Sequence, residues 1–187
     1  DGIRTVISLE GKHLVRIVPC LIIFQSCSSH LNLKFLCTIC LHHAGIEGDL
    51  HANAGSGKIG LAGLKGACSV NVGSGDITAV KINLTGKSSF NTGSGDASVT
   101  LISSPTHNIS VNSGSGDATL DFGGNKIEGK VIMTANKKNG KIIAPFTFDK
   151  TEEVDNGSDS NVRIRKTAQL GTNDIEIKVG TGSGTAE

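Results

Sequence analysis

Four groupings in this chain hold residue types that could do chemistry. Cys37-Thr38-Ile39-Cys40-Leu41-His42-His43 sets two thiols and two imidazoles close together, the donors that zinc prefers. A structural zinc site needs a second ligand pair further along, and after His43 come only His51, Cys68 and His107, each alone. Haem attachment would need His directly after the second cysteine, where Leu41 stands, so packing is the better reading of this cluster. Gly55-Ser56-Gly57-Lys58-Ile59-Gly60 matches the dinucleotide fingerprint letter for letter, but that chemistry needs a helix N-terminus behind it, and strand-type residues follow. Gly86-Lys87-Ser88 resembles the end of a phosphate loop, yet Lys81 sits where its first glycine belongs.

The fourth grouping is Asp76, Asp96 and Asp117, which recur at one offset in a repeated phrase. Stacked, they form a column of like charges about 5 Å apart, which is destabilising unless compensated. They either cap backbone N–H groups or draw Ca²⁺. Capping is the reading taken, because three carboxylates in a line fall short of the roughly six to eight oxygens that Ca²⁺ takes. The repeat is also not the Gly-Gly-x-Gly-x-Asp pattern of calcium-binding β-rolls. No serine stands in a nucleophile elbow. No catalytic residue, cofactor site or metal site is therefore assigned.

What positions these aspartates is the repeated phrase itself. Its copies run Ala52-Asn53-Ala54-Gly55-Ser56-Gly57-Lys58, Val70-Asn71-Val72-Gly73-Ser74-Gly75-Asp76, Phe90-Asn91-Thr92-Gly93-Ser94-Gly95-Asp96 and Val111-Asn112-Ser113-Gly114-Ser115-Gly116-Asp117. Successive first glycines lie 18, 20 and 21 residues apart, and repetition at about twenty residues marks a solenoid. Alternate residues before each motif (Leu50/Ala52, Cys68/Val70, Ser88/Phe90, Ile109/Val111) and after it (Ile59/Leu61, Ile77/Ala79, Ala97/Val99, Ala118/Leu120) read as inward-facing. Each Gly-Ser-Gly is then a corner between two strands that share a core, with Gly55, Gly57, Gly73, Gly75, Gly93, Gly95, Gly114 and Gly116 supplying positive φ. Further turn signals lie between corners, so each period reads strand, corner, strand, turn. If the rungs stack in parallel, Asn53, Asn71, Asn91 and Asn112 fall one above another at about 4.8 Å, where their amides can form a hydrogen-bonded ladder.

Later copies are degenerate. Gly171-Thr172-Asn173-Asp174-Ile175-Glu176-Ile177 lies three intervals beyond the fourth corner, leaving room for two degenerate rungs, and Val179-Gly180-Thr181-Gly182-Ser183-Gly184 is a last copy. Lys150 to Ser160 reads as an exposed acidic loop.

Residues 1–43 differ from the repeat domain of 44–187, holding four of the five cysteines and only Gly2 and Gly11. They fit an N-terminal cap or extra strands closing the apolar end. They also fit a lipoprotein-type signal, in which Leu14 to Phe24 precedes Gln25-Ser26-Cys27, although Arg16 and Pro19 interrupt that run. Non-native sequence is the third reading. No segment is long enough to span a bilayer.

A net charge of +1 with no Trp or Tyr offers neither a basic nucleic-acid surface nor an aromatic stacking platform. The 25 glycines show no three-residue period, which excludes collagen. The corners Gly-Ser-Gly-Asp followed by alternating Ile, Ala, Val or Leu, with the closing Gly-Thr-Asn-Asp-Ile-Glu-Ile, resemble the adhesin-like family of β-strand repeat proteins, related to the head domains of autotransporter-like adhesins. The likeness covers roughly residues 45–187. It implies an all-β, single-stranded, right-handed β-solenoid in a mostly bacterial, envelope-associated or extracellular family without established enzymatic activity. The expected function is a non-enzymatic surface or scaffold module, lipid-anchored if the N-terminal signal is real. Its partner would be an unspecified protein or glycan, with self-association through solenoid ends or edges also open. The alternative is a polysaccharide-active β-helix enzyme, weakened because sugar clefts commonly use aromatic rings.

Overall fold

A computed structural model describes residues 39–155 and 162–187, with the strand backbone of 7–8, 15–18, 21–27 and 31–35; side chains are described from Glu47 onward. The described residues are strands and turns without a helix. The strands are β1 (Ile7–Ser8), β2 (Val15–Val18), β3 (Leu21–Cys27), β4 (Leu31–Phe35), β5 (Ile39–Ile46), β6 (Leu50–Ala62), β7 (Lys65–Gly66), β8 (Cys68–Ser74) and β9 (Ile77–Leu84). They continue with β10 (Ser88–Ser94), β11 (Ala97–Leu101), β12 (Ile109–Ser113), β13 (Ala118–Asp121), β14 (Gly129–Asn136) and β15 (Lys141–Ile142). The last four are β16 (Lys150–Val154), β17 (Arg163–Leu170), β18 (Glu176–Thr181) and β19 (Thr185–Ala186).

The chain coils as a β-solenoid whose rungs stack in parallel on two faces. On face A the neighbours run β4, β6, β8, β10, β12, β18, β14. On face B they run β3, β5, the second half of β6, then β9, β11, β13, β19, β15. Register follows the repeat, with Ala52 opposite Val70, Val70 opposite Phe90 and Phe90 opposite Val111. Period-two alternation buries one row of side chains from each face, and those rows are the core. Leu50, Ala52 and Ala54 are the first described side chains of the face A columns, and Ile59 and Leu61 the first of face B. Phe90, the largest fully buried side chain among the described residues, lies in a rung whose face B residues are the smaller Ala97 and Val99. Burying one such large apolar side chain is worth roughly 1.5–3 kcal/mol, gained only when a neighbouring rung covers it.

Three expectations need correction. No two degenerate rungs lie in series between the fourth corner and the last copy. Instead β18 pairs directly with β12, Ile109 opposite Ile177, and β14 lies on the far side of β18, Val131 opposite Ile177. The late strand β18 is thus inserted between two earlier ones. Second, the start of the acidic segment is a strand rather than a loop: β16 pairs antiparallel with β17, and β17 pairs antiparallel with β14, so the hairpin covers the end of face A. Parallel neighbours left without a partner would expose an unpaired edge, and this hairpin carries Lys150 and Glu152 on it. Third, the corner glycines have two separate reasons. Gly57, Gly75 and Gly95 take positive φ, at 108°, 142° and 138°. Gly55, Gly73, Gly93, Gly114 and Gly116 do not, but a Cβ on Gly73 or Gly93 would stand 2.5 Å from the carbonyl oxygen of the preceding rung's first glycine, and one on Gly114 or Gly116 would stand 2.3 Å from Gly93 O or Gly95 O. Close approach between rungs explains those four.

The reading of residues 1–43 as a separate segment falls mostly outside the described residues. What is described of it is strand backbone that stacks in parallel, Leu31 opposite Leu50 and Leu21 opposite Cys40, with β1 and β2 added antiparallel. The Cys37–His43 cluster has no described side chains. Among the described residues no helix is long and apolar enough to cross a membrane.

Candidate functional site: ladders along the coil

Parallel stacking in register sets like residues at one spacing along the coil, so each outward row is a column of one chemistry. The first is amide. Asn71 Nδ2 donates to Asn53 Oδ1 at 3.0 Å, Asn91 Nδ2 to Asn71 Oδ1 at 3.0 Å, and Asn112 Nδ2 to Asn91 Oδ1 at 2.9 Å. Next in register stands Gly180 of the inserted strand, which ends the column. A parallel row holds His51, Ser69, Ser89 and Ser110, with Ser89 Oγ 3.4 Å from Ser69 Oγ. Face B carries Gly60, Thr78, Ser98 and Thr119 in one outward row.

At the corners the aspartates cap the next rung. Asp76 Oδ1 accepts the backbone N–H of Asp96 at 3.2 Å, Asp96 Oδ1 that of Asp117 at 2.9 Å, and Asp117 Oδ1 that of Thr185 at 2.6 Å. Each carboxylate is thereby held by a neighbour's N–H, which offsets part of the repulsion along the column. The first rung has Lys58 at the aspartate position, and its Nζ lies 2.8 Å from Asp76 Oδ2. The Lys58 hydrogen bond, helped by the Asp96 N–H, holds the Asp76 carboxyl below its ordinary pKa. Among the described residues no group of three or more His, Cys, Asp or Glu converges as a metal site.

A third column lies inside. Thr92 Oγ1 donates to Gly75 O at 2.6 Å, Ser113 Oγ to Gly95 O at 2.7 Å, and Thr181 Oγ1 to Gly116 O at 2.7 Å. All three hydroxyls belong to buried residues. Thr92 and Ser113 occupy the position after the ladder asparagine, which looked variable in the sequence, and Thr181 follows Gly180, which stands in register with Asn112. The signal was there, since Thr92 and Ser113 share the parity of the inward Phe90 and Val111.

Towards the inserted strand the surface turns from neutral to charged. Glu176 bridges Lys178 at 2.6 Å and Lys130 at 3.8 Å, and the Lys178 hydrogen bond chiefly keeps its pKa low. Arg165 and Glu152 join these groups around a groove of about 420 Å³.

The described side chains thus include columns of uncharged amides and hydroxyls, with charge outside those columns, as at Lys58, Lys81, Asp121 and the groups around the inserted strand. In comparison with known proteins, the family model described as Toastrack DUF4097 matches residues 49–143, just over half of the chain. No curated protein matches the chain, and no solved structure does.

Proposed function

The chain belongs to the Toastrack DUF4097 family, and from that premise we propose that it works as a non-enzymatic surface or scaffold module of the cell envelope, of adhesin type. The observation that carries this reading is the set of neutral ladders. Asn53, Asn71, Asn91 and Asn112 fix one another's amides in a line, so donors and acceptors face solvent at a constant spacing. Such an array is pre-organised for a repetitive partner, because little side-chain freedom remains to be lost on contact. A glycan chain or a second solenoid has that repetitive character. Association through ends or edges, and attachment by a lipid on the N-terminal segment, belong to the same proposal.

The test is retention of the intact chain on arrays of neutral glycans and of purified envelope proteins, beside Ser89→Arg on face A and Ser98→Arg on face B. Each variant raises a bulky charge over one ladder and leaves the buried rows untouched. The expected result is binding by the unmodified chain and a loss of at least tenfold in one variant, with both unfolding as the parent does. Absence of binding on both arrays, or release of shortened sugars from a polysaccharide, would overturn the reading; the second outcome would favour the β-helix enzyme.

A further inference from the structure

Gly180 opens a gap in an outer row of face A. Across the strands that row reads Asn112, Gly180, Thr134, Arg165 and Glu152, in register from β12 through β18, β14 and β17 to β16. Of these residues only the glycine has no side chain. Asn112 and Thr134 lean over it from either side, since a Cβ on Gly180 would meet Thr134 Oγ1 at 2.7 Å and Asn112 Oδ1 at 2.8 Å. The space around them is the groove of about 420 Å³ beside the inserted strand, within the range of ligand-binding pockets.

The polar groups of this groove differ in how far the protein satisfies them. In the amide ladder, Asn53, Asn71 and Asn91 each have Oδ1 occupied by the amide of the next rung. Asn112 has Gly180 next to it instead. Its Oδ1 accepts no hydrogen bond from the described residues, and Thr134 Oγ1 makes none with them. Both residues are half-buried, and polar atoms drawn away from water without a partner are costly. A ligand hydroxyl that donates to Asn112 Oδ1 and accepts from Thr134 Oγ1 satisfies the two together.

The charges sort in the same way. Glu176 is held by Lys178 at 2.6 Å, and Glu152 by Lys150 at 2.7 Å. Arg165 stands opposite Glu152 in the strand pair but makes no ion pair or hydrogen bond with the described residues, so its planar fork is open to a carboxylate. The two glutamates repel a doubly charged phosphate more than a single carboxylate. Gly180 and Arg165 lie two strand spacings apart, roughly 10 Å, which one sugar ring and an arginine arm bridge together. Ile132, the apolar residue on the outer side of β14, gives the ring a surface to rest on.

We propose that this groove binds a carboxylated sugar residue of a linear polysaccharide, with the carboxylate on Arg165 and a ring hydroxyl between Asn112 Oδ1 and Thr134 Oγ1. Lys130 adds attraction at the rim. A second depression of about 290 Å³, with Lys87, Ser89 and Ser110, meets the first at Glu176 and Lys178. The following sugars of an acidic chain therefore have a basic, hydroxyl-lined path along which to run. This site goes beyond the neutral ladders and does not depend on their binding anything, because Asn112 serves in it only as the ladder's open end.

The experiment is calorimetric titration of the intact chain with trigalacturonate and with its methyl ester, followed by competition with inorganic phosphate. The expected result is saturable binding by the acid, weakened at least tenfold by esterification and by Arg165→Gln. Thr134→Val, which keeps the shape of the side chain and removes its hydroxyl, should weaken it at least threefold. Lys141→Gln removes the same charge on face B and should change nothing. No saturable binding by trigalacturonate overturns the proposal, as does equal binding of the ester. Equal losses in Arg165→Gln and Lys141→Gln would reduce the effect to net charge, and displacement by equimolar phosphate would assign the groove to a phosphate; either outcome equally overturns it. The comparison of acid with ester uses the unmodified protein and stands whether or not a variant folds. A blank on neutral glycans and envelope proteins would sink the ladder reading and leave this one intact.

Discussion

The Asp96 side chain accepts the backbone N–H of Asp117 at 2.9 Å, so the carboxylate of one corner caps the corner of the next rung. The same link joins Asp76 to Asp96 and Asp117 to Thr185. A residue that looks like a local turn former is therefore an inter-rung clamp. Its charge strengthens the bond while its position in a column of like charges weakens the whole, and the balance between the two is measurable.

Replacing Asp96 by Asn keeps an oxygen acceptor for Asp117 N–H and removes one charge from the middle of the column. Stability should be equal or higher. Asp96→Ala removes the acceptor and should cost about 1 kcal/mol, read by urea unfolding. If Asn destabilises as much as Ala, charge and not capping is what the position requires. A melting temperature of the unmodified chain that drops with a chelator would instead place Ca²⁺ in the column.

Asp76 has its pKa lowered by Lys58 and the Asp96 N–H. A carboxyl whose folded pKa lies below its unfolded value contributes stability above the unfolded pKa and loses it as pH falls through the folded one. The ordinary value is 3.8, so the loss lies in the acid range below it. Lys58→Met should then be less stable than the parent at pH 7, by no more than about 1 kcal/mol for so exposed a pair. The two proteins should converge when unfolding is repeated near pH 2. A difference that persists undiminished in acid would show that Lys58 acts through packing.

Gly75 and Gly73 separate the two reasons for corner glycines. Gly75 has φ of 142°, and an added Cβ would collide with Gly57 O, so Gly75→Val meets both strain and overlap. Gly73→Ala meets overlap alone, 2.5 Å from Gly55 O. Thermal unfolding should place both below the parent, with Gly75→Val losing more, about 3 kcal/mol or beyond. An unchanged melting temperature for Gly75→Val would mean that the rungs do not approach as closely as described.

The repeats were legible because the corner demands particular residues: glycine where carbonyls crowd, and aspartate or lysine where the next rung is clamped. Asn53 through Asn112 could be aligned by eye for that reason. The order of stacking could not. β14 reads as an alternating strand through Val131, Met133 and Ala135, but it reaches its next strand through Asn136–Gly140 and has no Gly-Ser-Gly corner. Nothing in the sequence says that β18 enters between it and β12, because parallel pairing is decided by which apolar edge is open, not by sequence distance. The placement of β19 between β13 and β15 on face B was equally hidden. The inner hydroxyls were legible only in part: Thr92 and Ser113 share the inward parity of Phe90 and Val111, but Ala54 and Val72 hold the same position without a polar atom.

That last substitution pattern offers a sharp test. Val72 and Thr92 are opposite each other in the stack, and Thr92 Oγ1 donates to Gly75 O at 2.6 Å. One rung earlier the equivalent carbonyl belongs to Gly57, with Val72 beneath it and no hydroxyl to give. Thr and Val have nearly the same shape, so exchanging them changes the donor and little else. Thr92→Val should lose about 1 kcal/mol, the net worth of a hydrogen bond whose acceptor lies inside the coil. Val72→Thr should be neutral or gain several tenths of a kcal/mol, because its new hydroxyl can reach Gly57 O, although burying a hydroxyl without a partner would cost about 1–3 kcal/mol. Urea unfolding of the two single variants decides the matter. If Val72→Thr loses more than about 1 kcal/mol, the hydroxyl has found no acceptor, and the inner column depends on the local shape of each corner and not on a repeated inter-rung bond.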